Sequence, residues 1–375
     1  MPARGLLAAL ALIAGVLAAP HLAVGPRVAT ASSPAGGAPL AGGAPASGPS
    51  IPAGKLLGQR IMVGMPGTVA PASLLSAVRA GRVGSVILFA PNIVSRTQLS
   101  ALTASLQRAA RAGANPPLLI AVDQEGGQVK RLPSGPPRRS PPQIVATGSA
   151  GVALAEGRAT GRYLKSLGIN MDLAPVLDVP TSAGAFIWTQ GRAFSFSAGD
   201  VAKYGGQFAL GLQGAGVAAT GKHFPGVGSA AIDTDFKLNV LRPSAAARAA
   251  ALVPYRALIP RGLDAIMLST AAFPAYDPTG TPTALSRPLV AGLLRTQLRF
   301  RGVTITDALG TPTGHDERTA GMLAARAGAD ILLYTDSAPG ELAALESDLR
   351  RGRLHRGDAE ASYRRIVALK RRVAG

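Results

Sequence analysis

Between residues 60 and 334 the chain carries eight short apolar runs, separated by stretches of helical periodicity. The runs cover 60–64, 84–89, 118–123, 169–175, 217–224, 264–269, 302–307 and 329–334. Each is short for a helix and apolar on both faces, as a strand is when both sides of its sheet are covered. Segments 99–112, 151–167, 200–213, 245–261, 288–298 and 320–327 place apolar residues at helical spacing instead. Gly168, Gly216, Gly262 and Gly328 follow four of these segments, where a left-handed cap is expected. Strands alternating with helices restrict the fold to the α/β class with a parallel sheet. Eight such units predict a single-domain (β/α)8 TIM barrel, with a doubly wound open sheet as the alternative. No glycine-rich phosphate turn follows the first run, which counts against a nucleotide-binding sheet. The connection over 180–197 is long for a simple turn and is expected to carry function.

The N-terminus has a different character. Arg4 precedes an apolar run over 5–19, Pro20 breaks it, and Ala29, Thr30 and Ala31 supply small residues for cleavage. This pattern predicts a signal peptide over 1–31. The run is short for a transmembrane helix, and an uncleaved anchor is the alternative. Residues 32–53, rich in Ser, Pro, Ala and Gly, predict a flexible linker, leaving 54–375 as the folded domain. The expected location is secreted or cell-envelope associated, with membrane attachment only if the leader stays uncleaved. Cysteine is absent, which excludes disulfides, thiolate catalysis, cysteine metal sites and a cysteine-linked lipid anchor. The net charge of +19 reads either as a solvated basic surface or as attraction to an anionic polymer such as a cell wall or membrane face. No basic run is interleaved with aromatics, so nucleic acid is not an expected partner.

Polar groups gather where the apolar runs end. Asp123, Lys222, His223, Ser269 and Asp307 all lie at the C-terminal ends of expected strands. In a barrel those ends share one face, the face on which active sites are built. Asp307 follows Val303-Thr304-Ile305-Thr306 and is the candidate nucleophile, since a carboxylate can attack an anomeric carbon to form a glycosyl ester. Its alternative is a helix N-cap. Lys222 and His223 are adjacent, so both reach one site only if the strand end twists; His223 could instead be a satisfied core histidine. Asp123 could accept two sugar hydroxyls, with Gly126 and Gly127 allowing close backbone approach. Arg131 could pair with a neighbouring carboxylate. No second histidine ends a strand, so no metal site is expected. Trp188, within the long connection, would either stack on a sugar or pack.

These residues resemble glycoside hydrolase family 3, in its single-domain β-N-acetylglucosaminidase (β-N-acetylhexosaminidase) branch. The resemblance covers roughly 55–335. It rests on Asp123-Gln124-Glu125-Gly126-Gly127 with Arg131, and on Asn170 with 173–179. Further matches are Gly191-Arg192-Ala193-Phe194, Lys222-His223-Phe224-Pro225-Gly226, Ile305-Thr306-Asp307-Ala308-Leu309 and Ala327-Gly328-Ala329-Asp330. It implies a retaining mechanism without metal or cofactor, with Asp307 as nucleophile. Asp123, Arg131, Arg192, Lys222 and His223 would bind the terminal sugar. The implied substrate is terminal β-linked N-acetylglucosamine on a glycan, with peptidoglycan fragments as the expected cell-wall source.

Three histidines of the family pattern are replaced here, by Val227, Asp235 and Thr270. The family's catalytic Asp-x-His pair reads Asp233-Thr234-Asp235. Two readings follow: Asp235 serves as general acid beside Asp233, or the chain is a carbohydrate-binding pseudoenzyme that keeps the sugar pocket. His315, in the loop after Asp307, is a substitute acid only if it reaches the site, and exposure is expected instead.

Overall fold

Eight parallel strands form the centre of the computed structural model. They are β1 Ile61–Val63, β2 Ser85–Leu88, β3 Leu119–Val122, β4 Met171–Asp172, β5 Ala218–Phe224, β6 Ala265–Leu268, β7 Val303–Thr306 and β8 Leu332–Tyr334. Each falls inside one of the eight apolar runs. The structure describes residues 51–335 and 340–374; the expected signal peptide (1–31) and the linker through residue 50 lie outside the described residues.

Neighbouring strands pair in chain order, from Met62↔Ser85 through Ala265↔Val303, and β1 also pairs with β8 at Ile61↔Leu332. A parallel bridge between Ile305 and Ile331 joins the seventh strand to the approach of the eighth, and the ring closes. This is the (β/α)8 arrangement, not an open sheet. The β4 strand proper is shorter than its apolar run, but the run stays hydrogen-bonded to its neighbours: Leu173 N–H donates to Val122 O (2.9 Å), and the carbonyls of Ala174 and Pro175 accept from Thr220 (2.8 Å) and Lys222 (3.1 Å).

Helices cover the outside: α1 Ala53–Gly58, α2 Ala72–Arg79, α3 Arg96–Ala112, α4 Ala150–Ser166, α5 Gly206–Gly214, α6 Ala245–Leu258, α7 Glu317–Ala327, α8 Glu341–Arg350 and α9 Arg356–Ala374. A π-helical segment, Pro288–Gln297, fills the place between β6 and β7. The four glycines expected as caps all have positive φ, between +74° and +106°. Helices α1, α2, α8 and α9 lie outside the helical segments expected from the sequence.

The last helix has a special position. Ile366, Leu369 and Val373 of α9 join the cluster inside the barrel with Met62, Leu119, Met171 and Val303. Lys370 Nζ donates to Gly84 O (2.5 Å) and Gln59 Oε1 (2.6 Å), Arg365 pairs with Asp330, and Arg372 pairs with Asp264. All four partners immediately precede strands. Helix α9 therefore lies across the N-terminal mouth of the barrel and closes it, which leaves the C-terminal mouth as the open end.

Candidate active site

The open mouth holds a pocket of about 290 Å³. All eight residues expected at the site line it: Asp123, Arg131, Arg192, Lys222, His223, Asp233, Asp235 and Asp307.

The β5 strand explains how two adjacent residues reach one cavity. Every residue from Ala218 to Phe224 is buried. Small residues let the strand pack closely; a Cβ on Gly221 would stand 2.5 Å from Leu177 Cδ1. Register with β6 then breaks between Gly221 and Phe224. The regular up–down alternation ends there, and both Lys222 and His223 face the pocket.

Lys222 anchors the charged floor. Its Nζ lies 2.8 Å from Asp123 Oδ1 and 2.6 Å from Glu125 Oε1. Arg131 reaches the other oxygen of Asp123 at 3.3 Å. Arg192 grips Glu125 with two nitrogens, at 2.7 and 3.0 Å. Burial alone would raise the Asp123 carboxyl, but Lys222 and Arg131 outweigh it and hold the group at about 2. Glu125 is lowered for the same reason, with Arg192 as the main opposing charge. Both carboxylates are thus ionised and ready to accept hydroxyl hydrogen bonds.

His223 is fixed from behind. Its Nδ1 is 2.7 Å from Asp178 Oδ2, and Asp178 also accepts the backbone N–H of Val227 at 2.7 Å. A carboxylate partner assigns the proton to Nδ1. Nε2 is left as an acceptor, 3.4 Å from Arg192 Nη2.

The remaining carboxylates sit at the rim. Asp307 follows β7, is half-buried, and accepts the N–H of Ala308 at 2.9 Å. It does not cap a helix; Asp316 caps α7. Asp233 accepts from Gln190 Nε2 (2.9 Å) and from the Asp235 N–H (3.1 Å), so the 180–197 connection braces the loop that carries Asp235. Asp235 is exposed as a residue and also lines the pocket. Partial burial pushes its carboxyl up to about 6, helped by Asp307 and then Asp233.

Ser269, Trp188, Val227, Thr270 and His315 lie outside the pocket. Ser269 is fully buried beneath the site and does not line the pocket; its N–H pairs with Phe224 O. Trp188 packs against Phe196, with ring centres 4.3 Å apart, and does not line the pocket either. Val227 lies in an apolar cluster with Phe186 and Ile187, and Thr270 is buried outside the pocket. His315 is exposed and absent from the lining, as expected. Arg131 both lines the pocket and pairs with Asp123.

Sequence reasoning gave no role to Glu125, Asp178 or Gln190. For Glu125 a signal was present: it lies two residues after Asp123, the spacing that puts side chains on one face of an extended strand. Asp178 is a lone acid in the apolar stretch 173–179, which marks a buried group with a dedicated partner.

Residues 57–369 match the family model described as the glycosyl hydrolase family 3 N terminal domain. The chain is 36% identical over 338 residues to an uncharacterized secreted glycosyl hydrolase of Arthroderma benhamiae, covering 84% of this chain and 93% of that one. It is 34% identical over 287 residues to a beta-hexosaminidase of Xanthomonas axonopodis pv. citri, covering 73% and 82%. Among solved structures, a glycoside hydrolase family 3 beta-N-acetylglucosaminidase from Paenibacillus superposes with a TM-score of 0.81 at 33% identity. That alignment spans 87% of this chain and 63% of the Paenibacillus chain.

Proposed function

The chain belongs to glycoside hydrolase family 3, and on that premise we propose that it is an exported retaining hydrolase of terminal β-linked N-acetylglucosamine, with Asp307 as nucleophile and Asp235 as general acid/base. The observation that carries this reading is the pairing of carboxyls in one pocket. Asp235, pushed up to about 6, retains a proton where Asp123 cannot, and Asp307 is one of the charges that hold it there. Two carboxyls in different protonation states at one site are what acid-assisted glycoside cleavage needs.

In the first step Asp307 attacks the anomeric carbon as the glycosidic bond breaks. The Asp235 proton goes to the departing oxygen, leaving a glycosyl ester on Asp307 and an Asp235 carboxylate. In the second step Asp235 takes a proton from water, the water oxygen bonds to the anomeric carbon, and Asp307 leaves as carboxylate. Asp123 and Glu125 accept sugar hydroxyls, while Lys222, Arg192 and His223 Nε2 position the ring. Peptidoglycan fragments outside the membrane are the expected source of the substrate.

One observation favours a second reading, a sugar-binding protein with impaired catalysis: the outer surface of Asp235 is open to solvent. An aryl β-N-acetylglucosaminide with a good leaving group separates the two. Turnover by the wild type that disappears in Asp307→Ala supports the hydrolase. Binding of N-acetylglucosamine by calorimetry without any turnover supports the binding protein.

A further inference from the structure

The loop that carries Asp235 also carries an aromatic ring that the fold leaves in water. Phe236 follows Asp235 in the connection between β5 and α6. It is 81% exposed, the most open of the large apolar side chains among the described residues. Of those exposed apolar side chains, Phe236 alone lines the pocket; Ile232 and Val240 on the same loop do not. The other exposed phenylalanine, Phe196, rests on Trp188, whereas Phe236 meets no aromatic partner among the described residues.

The backbone on both sides of the ring is held. Phe236 N–H donates to Asp233 O at 3.2 Å, and the Asp233 carboxylate is held in turn by Gln190. Thr234 is buried, and Asn239 Nδ2 closes the turn on Ile232 O (3.1 Å) and Lys237 O (2.9 Å). The ring itself stays uncovered at the mouth of a pocket, where open apolar surface marks a place for a ligand. Its position says which part of the ligand. Asp123, Glu125 and Lys222 form the charged floor that takes the terminal sugar. A general acid must reach the oxygen of the bond being broken. The residue next to that acid therefore stands on the departing side.

We propose that Phe236 is the platform for the sugar unit that leaves, and that it selects a pyranose with equatorial substituents as the leaving group. Such a ring turns its polar groups to the edge and presents axial C–H bonds on its faces. That apolar plate matches a phenyl face, whose negative quadrupole attracts the C–H hydrogens. A short alcohol has no such plate. An anionic leaving group would call for a cation in the pocket wall beside the ring, and Lys237, the next residue, is exposed and outside the lining. The platform thus favours the end of a glycan chain over a simple glycoside. Binding energy from the second sugar is then available to hold the bond against Asp235 and Asp307. This assignment rests on Asp235 being the acid in the reading above.

The test is calorimetric titration of an Asp307→Ala parent with two probes, the β-1,4-linked disaccharide of N-acetylglucosamine and methyl β-N-acetylglucosaminide. The parent should bind the disaccharide more tightly. Adding Phe236→Ala should weaken the disaccharide by about tenfold and leave the methyl glycoside unchanged, at unaltered melting temperature. Phe236→Tyr, which keeps the ring face, should bind the disaccharide as the parent does. The loss should be the same at low and high salt, because a stacking contact carries no net charge. A parent that binds the disaccharide no more tightly than the methyl glycoside overturns the proposal. So does undiminished disaccharide binding in Phe236→Ala, or equal weakening of both probes, which would make the ring a cover for the terminal sugar. A loss that high salt abolishes overturns it in favour of Lys237. None of these titrations needs turnover: a wild type that cleaves no substrate sinks the hydrolase reading, and the affinities still decide the platform.

Discussion

Asp178 holds His223 through a 2.7 Å contact to Nδ1 while lying wholly buried behind the pocket. The carboxylate fixes both the tautomer and the aim of the ring, and it reaches the same loop again through the Val227 N–H. It is a positioning residue, not one that touches substrate.

Asp178→Asn should therefore weaken catalysis through His223. An amide can donate to Nδ1 and so reverse the tautomer, turning Nε2 into a donor that faces Arg192. Steady-state kinetics on an aryl substrate should show kcat/KM lowered by about tenfold to a hundredfold, the range for loss of such supporting groups. Unchanged kinetics in the folded variant would remove Asp178 from the account.

Glu125→Gln should destabilise the fold as well as the site. Glu125 is buried and neutralises both Arg192 and Lys222. Removing one member of a buried pair leaves uncompensated charge, at a cost of about 3–5 kcal/mol. Denaturant unfolding should show that loss in the midpoint, with sugar affinity falling in parallel.

The rim carboxylates and most of the charged floor were legible in the sequence, and the groups that support them were not. Lys222, His223 and Asp123 stand out because a cation, an imidazole and a carboxylate end apolar runs, where little but a site explains them. Eight such runs also specify the barrel, since period and length survive without knowledge of contacts. Ser269 shows the limit: the end of a strand does not say which way its last side chain points, and here it points into protein. Trp188 shows another, because packing against Phe196 depends on how the 180–197 loop folds back. Helix α9 escaped notice because most of its surface is charged, and only Ile366, Leu369 and Val373 enter the barrel.

Asp172 gives a prediction about pH and stability. It is fully buried, accepts from the Gln124 N–H at 3.0 Å, and burial pushes its carboxyl up to about 8. The folded state thus binds a proton that the unfolded state releases near pH 4. Between those values stability falls as pH rises. Asp172→Asn removes this dependence, so its melting temperature should gain on the wild type progressively from pH 4 to pH 8. A constant difference across that range would contradict a protonated Asp172.

The activity profile should follow the Asp235 proton. Acid assistance needs the protonated form, whose fraction falls as pH rises through about 6. Hydrolysis of an unactivated disaccharide should decline on that alkaline limb, and the limb should vanish in Asp235→Asn along with most of the rate. An alkaline limb that persists in the variant would assign it to another group.

The account turns on Asp235 working as acid and base around an ester on Asp307. The most direct measurement takes Asp235→Ala with an aryl β-N-acetylglucosaminide, in the presence and absence of azide. The good leaving group departs without acid help, the glycosyl ester forms, and its hydrolysis stalls without a base. The account predicts turnover reduced by about 10²–10⁴-fold, restored by azide, with β-N-acetylglucosaminyl azide as the product. Wild-type turnover in the variant without azide, or rescue that yields the α-azide, would contradict it.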